Sequence, residues 1–134
     1  MITEQFARHT SFWAMPFLFV LFFVAANVNA ATLYGVTTSN ELVRFDSASP
    51  GTITNVGTIT GLQSGENVLG IDFRPATGQL YGLGSTSRLY TINTATGAAA
   101  QVGSAGAFTL NGTDFGFDFN PTVDRLRIVS NTGQ

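Results

Sequence analysis

The chain has 134 residues, 44% of them hydrophobic, with six basic against eight acidic side chains and no Cys, which suits one small domain. From residue 31 onward it also lacks His, Lys, Trp and Met. That removes Ser-His-Asp and Cys-His nucleophile systems and the usual zinc ligand sets, and a net charge of −2 without a basic run speaks against nucleic acid as a partner.

Residues 1–30 read as a secretory signal peptide. Arg8 and His9 precede an apolar run from Phe12 to Ala26, and Asn27-Val28-Asn29-Ala30 places small or short residues where signal peptidase cuts. The run is 15 residues with Pro16 inside it, short of the roughly 20 that cross a bilayer as a helix. No membrane span is therefore expected after cleavage; an uncleaved anchor is the alternative. The mature part, residues 31–134, is expected to be exported to the periplasm, the cell surface or the medium, and its stability must come from burial without disulfides.

The mature part repeats itself with a period of about 46 residues. Leu33-Tyr34-Gly35 returns as Leu80-Tyr81-Gly82, and Gly70-Ile71-Asp72-Phe73-Arg74-Pro75 returns as Gly116-Phe117-Asp118-Phe119-Asn120-Pro121. The spacing is locked, since Gly57 to Gly70 and Gly103 to Gly116 are both 13 steps. Such a period belongs to blades or solenoid turns.

Within the second unit the pattern predicts four strands. Leu69–Phe73 alternates, Arg74–Gly78 is a turn, Gln79–Leu83 is a second strand and Gly84–Ser87 a second turn. Arg88–Ile92 and Ala98–Val102 follow, separated by the turn Thr94–Gly97. No helical periodicity appears, and Pro50, Pro75 and Pro121 are all expected in turns.

Four antiparallel strands in about 46 residues describe a propeller blade. The expected fold is all-β, with β-propeller-type repeats making two blades plus the start of a third, an incomplete ring. A β-sandwich is the alternative. In the repeat register Gln134 falls where Arg88 does, inside a hairpin, so the expectation is a fragment of a longer protein. Its open blade face would favour self-association.

The run Phe73-Arg74-Pro75-Ala76-Thr77-Gly78-Gln79-Leu80-Tyr81-Gly82, with Gly116 through Arg127 (GFDFNPTVDRLR), resembles a bacterial exported family known as domain of unknown function 4394. The resemblance covers residues 32–134. It implies a longer protein with further repeats, and no catalytic residue or activity.

The acids offer one site. Asp114, Asp118 and Asn120 share a face of one predicted strand, opposite Phe115, Phe117 and Phe119. Oxygen ligands on one face suit calcium, with Glu66 or Asp124 added from loops. Against that, Asp72 and Asp118 recur at one position before an x-Pro turn, where a carboxylate accepts backbone N–H groups and fixes the turn. The phenylalanines, and Tyr34, Tyr81 and Tyr90, read as core between units. Arg125 and Arg127 read as surface partners of Asp124 or Asp118, and Asn111-Gly112-Thr113 fits a glycosylation sequon.

Two functions follow. The first is a non-catalytic binding or scaffold module of the envelope or extracellular space, with no cofactor and a partner unknown. The second is a calcium-dependent hydrolase or lyase; a fragment without function of its own is the remaining alternative.

Overall fold

The computed structural model describes residues 29–133. The predicted leader therefore lies outside the described residues, apart from Asn29 and Ala30, and so does Gln134.

The described chain is all-β, without a helix. Its strands in chain order are β1 (Thr32–Val36), β2 (Glu41–Asp46), β3 (Ser49–Thr58), β4 (Val68–Arg74), β5 (Gln79–Gly84), β6 (Arg88–Ile92), β7 (Ala99–Val102), β8 (Phe115–Asn120) and β9 (Arg125–Ser130). They make three sheets, ordered β1-β2-β3, β4-β5-β6-β7 and β8-β9, none closed on itself. Each strand pairs antiparallel with its neighbour in sequence.

Turn chemistry explains the boundaries. After β4 the Thr77 and Gly78 N–H groups both donate to the Arg74 carbonyl, at 3.1 and 2.8 Å, and Gly78 takes φ +68°, the left-handed state that closes such a hairpin. The β6–β7 turn repeats this arrangement, with Gly97 N–H on the Asn93 carbonyl at 2.8 Å. β7 begins at Ala99 rather than the expected Ala98, whose carbonyl is still held by the Asn93 N–H at 2.8 Å.

Pro50 departs from expectation: it lies inside β3, not in a turn. β3 is an edge strand, and its pairing with β2 shifts register between Phe45 and Asp46. A missing N–H at such an irregular edge removes no ladder bond.

Sheets stack through their first strands, β4 packing on β1 on one side and on β8 on the other. Leu42, Ile59, Leu80, Tyr90 and Ile92 form the core between the first two sheets, with Tyr34, Val36, Ile71 and Phe73 packed around them. Leu42, Leu80, Leu83 and Tyr90 are fully buried, each apolar side chain of this size contributing about 1.5–3 kcal/mol. Edge-on aromatic pairs join successive sheets: Tyr34 with Phe73 at 5.5 Å between ring centres, and Tyr81 with Phe119 at 5.1 Å. Phe117 lies over Gly70, where an added Cβ would come within 2.9 Å of the Phe117 Cβ. Hence β4 admits β8 only because residue 70 has no side chain.

Candidate functional site

The loop between β3 and β4 carries Glu66, which is 3% exposed and the one buried charged side chain among the described residues. Burying a carboxylate is costly unless donors surround it. Here Oε1 accepts the Thr86 N–H at 3.1 Å and the Thr86 hydroxyl at 2.5 Å. Oε2 accepts the Gln63 N–H at 3.1 Å and the Tyr90 hydroxyl at 2.5 Å. Burial pushes the Glu66 carboxyl up, but the Thr86, Tyr90 and Gln63 donors outweigh it and hold the group below its ordinary range. Tyr90 moves the other way, raised by burial and by its bond to the Glu66 carboxylate.

Gly84 completes this arrangement. A Cβ there would overlap Glu66 Oε1 and come within 2.9 Å of the Tyr90 ring. Glu66 is thus an ionised acceptor whose oxygens are spent on the β5–β6 turn, on β6 and on its own loop. A general base needs an oxygen aimed at a substrate proton, and these point inward.

Asn40 stands beside it, in the β1–β2 turn at φ +57°, a backbone state that Asn tolerates better than most residues. Its Nδ2–H donates to the Glu66 carbonyl at 2.9 Å and to Asn67 Oδ1 at 3.2 Å, while its Oδ1 accepts the Val68 N–H at 2.9 Å. This one side chain fixes the entry into β4 against the first sheet. Ser87, at φ +61° in the β5–β6 turn, does the like for the segment before β8, its hydroxyl accepting the Leu110 N–H at 3.0 Å.

Between the β1–β2 turn and the start of β4 lies a groove of about 400 Å³, lined by Val36, Thr37, Thr38, Asn40, Asn67, Val68 and Leu69. It offers hydroxyl, amide and apolar surface without a charged side chain, which fits neutral, hydrogen-bonding ligands rather than ions.

The sequence-predicted calcium residues have separate partners. Asp114 Oδ2 accepts from the Thr113 hydroxyl at 2.8 Å and from Asn131 Nδ2 at 3.1 Å. Asp118 Oδ2 takes Arg127 Nη2 at 2.6 Å. Asn120 Oδ1 accepts the Thr122 N–H at 2.9 Å. The two suggested loop ligands are elsewhere, Glu66 in its buried cluster and Asp124 on Arg74. Among the described residues no group of three or more His, Cys, Asp or Glu is placed to hold a metal ion.

Two roles differ from expectation. The x-Pro turn after β8 is fixed by Asn120, not by Asp118. Asp72 holds the Phe73 N–H at 2.9 Å and reaches across to the Phe119 N–H at 2.7 Å, so it joins two sheets instead of serving a turn. Arg74 binds Asp124 two-pronged, Nε to Oδ1 at 2.9 Å and Nη2 to Oδ2 at 2.5 Å. This contact raises the Arg74 pKa further, and it holds the Asp124 carboxyl below its usual range. Phe115, Phe117 and Phe119 share the more buried face of β8, with Phe119 in the core. Asn111 is exposed, ahead of β8. Asn40 was not singled out from sequence; its position in a polar turn before Glu41 was the available signal.

No curated protein and no solved structure matches the chain. A family described as "Domain of unknown function (DUF4394)" matches residues 41–134, starting nine residues after the resemblance read from the repeat and running to the same end. This match spans more than two thirds of the chain, which therefore belongs to the DUF4394 family.

Proposed function

We propose that the protein is an exported, non-catalytic binding or scaffold module built from propeller-type repeats, working in the envelope or extracellular space. The observation that carries this reading is the way the acids are used: Glu66, Asp72 and Asp124 hold parts of the fold together, and Asp118 is paired with Arg127 at the surface. The neutral groove beside Asn40 offers surface to a ligand. Equivalent contacts between successive sheets support the repeat reading. Tyr34 meets Phe73 as Tyr81 meets Phe119, and Asn40 and Ser87, at the same turn position, accept the N–H groups of Val68 at the start of β4 and of Leu110 in the segment before β8. Export is supported by the leader pattern of residues 1–30.

The test is compartment fractionation with N-terminal sequencing of the recovered protein, followed by sedimentation with isolated bacterial envelope. A mature N-terminus at Ala31 and saturable binding are expected. Thr38→Arg, which fills the groove without touching the Glu66 cluster, should weaken that binding. Cytoplasmic protein retaining Met1 would overturn export, and turnover of envelope glycans by the purified protein would overturn a non-catalytic role. Absence of binding would remove the envelope as its partner.

A further inference from the structure

The first two sheets are also joined near their outer strands. The Thr60 N–H, just after β3, donates to the Gly97 carbonyl in the β6–β7 turn at 3.2 Å, and the Ala99 N–H returns to the Thr60 carbonyl at 2.8 Å. That turn is itself held by Asn93, whose Oδ1 accepts the Ala95 N–H at 2.8 Å and the Thr96 N–H at 3.2 Å. Facing it, β3 carries a bulge: Leu42 pairs with Gly57 and Val43 with Asn55, so Val56 is the extra residue. Between the turn and the bulge runs a groove of about 350 Å³, lined by Arg44, Thr54, Asn55, Val56, Thr94 and Ala95. Both walls belong to described strands and turns, and the bonds through Thr60 fix one wall to the other.

Arg44 is the charged group of this groove. Alternation places it on the face of β2 that also carries Leu42, the face packed on the second sheet, and its ladder neighbours are Tyr34 and Thr54. Other arginines are engaged within the fold. Arg74 and Arg127 make the two ion pairs of the described residues, and Arg88 donates to the Thr86 carbonyl at 3.3 Å. Asp46 lies two positions along the same face as Arg44, yet its Oδ1 accepts the N–H of Ala48 in its own turn at 2.7 Å, and among the described residues no carboxylate pairs with Arg44. Its guanidinium is thus exposed and unspent beside a groove whose walls are held in place.

We infer that this groove is a second ligand site, which takes the carboxylate of an acidic saccharide on Arg44. A guanidinium presents two parallel N–H donors that match the two oxygens of a carboxylate. Thr54, Thr94 and Asn55 place hydroxyl and amide groups around it, which can both donate to and accept from sugar hydroxyls, while Val56 and Ala95 offer short apolar side chains to a ring face. One cation in the groove balances one negative charge; a phosphate monoester, with nearly two, would be left half neutralised. The site shares no residue with the neutral groove beside Asn40, so loss of binding at one leaves the other standing.

The experiment is isothermal titration calorimetry of the purified protein at low ionic strength with trimers of galacturonate and of mannuronate, and with the methyl ester of the first. At least one acid trimer should bind, with an affinity that falls as salt is added. The ester keeps every hydroxyl and loses the charge, and it should not bind. Arg44→Gln should weaken binding by roughly tenfold to a hundredfold, the range for hydrogen bonds to charged groups. Arg44→Lys, which keeps the charge without the fork, should recover part of that loss. Arg125→Gln removes the same charge from an exposed position of β9 and is the control. Since Arg44 is exposed, its variants should melt as the wild type does. No binding of either trimer at millimolar concentration, an ester that binds as well as the acid, inorganic phosphate displacing the trimer at equal concentration, or equal losses in Arg44→Gln and Arg125→Gln would each overturn the inference.

Discussion

The Asp72 carboxylate in the second sheet holds the backbone N–H of Phe119 in the third, at 2.7 Å. This places a charge-assisted bond between two sheets that share no strand. Asp72→Ala should therefore loosen the β8–β9 hairpin selectively. A loss of about 1.5–3 kcal/mol is expected, the range for bonds to charged groups. Faster amide exchange at Phe119 than at Leu80 would localise it. Asp118→Ala, which removes an exposed pair with Arg127, should leave melting almost unchanged; an equal effect of both would contradict the assignment.

Acid should act through Glu66. Its folded pKa lies below the ordinary 4.5, so as pH falls the unfolded chain takes up the proton first. The stabilisation from this group is complete above 4.5 and is lost as pH drops through the folded value. Glu66→Gln should flatten that part of the pH–stability curve. It should also destabilise the protein at pH 7, since an amide nitrogen faces donors; about 1–3 kcal/mol per orphaned donor is expected. Urea melts of both proteins from pH 7 to pH 3 check the sign.

The Arg74–Asp124 pair joins β4 to the β8–β9 turn, where Asp124 has φ +49°. Asp124→Gly would relax the backbone and lose the ion pair, whereas Asp124→Asn keeps a residue that tolerates this conformation. The wild type should show a salt dependence of melting between about 0.02 and 0.5 M NaCl, a range over which screening becomes strong, and both variants should lose it. A more stable Asp124→Gly variant would show that backbone strain outweighs the contact.

Much of the strand pattern was legible because turn residues bracket it. Arg88–Ile92 is β6 as read, and the Arg74–Gly78 turn closes β4 onto β5. Pro50 misled, because an edge strand tolerates what a central one cannot. The site was less legible. Asn40 and Glu66 become neighbours only when two sheets stack, 26 positions apart in sequence, and no local spacing announces such a clamp. Of the three residues expected on one face, Asp118 and Asn120 lie in β8 and Asp114 just before it, and a shared face does not set partners. Arg127 lies opposite Asp118 in the ladder and claims it, while Asn131 takes Asp114 near the other end of the hairpin.

Gly70 and Gly116 provide the sharpest contrast between a covered and an uncovered face. A Cβ at residue 70 would meet the Phe117 Cβ at 2.9 Å, close to the backbone of a packed strand that cannot turn aside. At residue 116 the neighbour is Val129 Cγ2, also at 2.9 Å, but that side chain borders an open groove and can change rotamer. Gly70→Ala should thus cost about 1–3 kcal/mol, as overpacking does, and disturb the Tyr81–Phe119 contact. Gly116→Ala should melt nearly as the wild type does. Thermal denaturation of the two variants as dilute monomers checks this, and similar melting temperatures would mean that β8 does not press on β4 as closely as the Gly70–Phe117 contact requires.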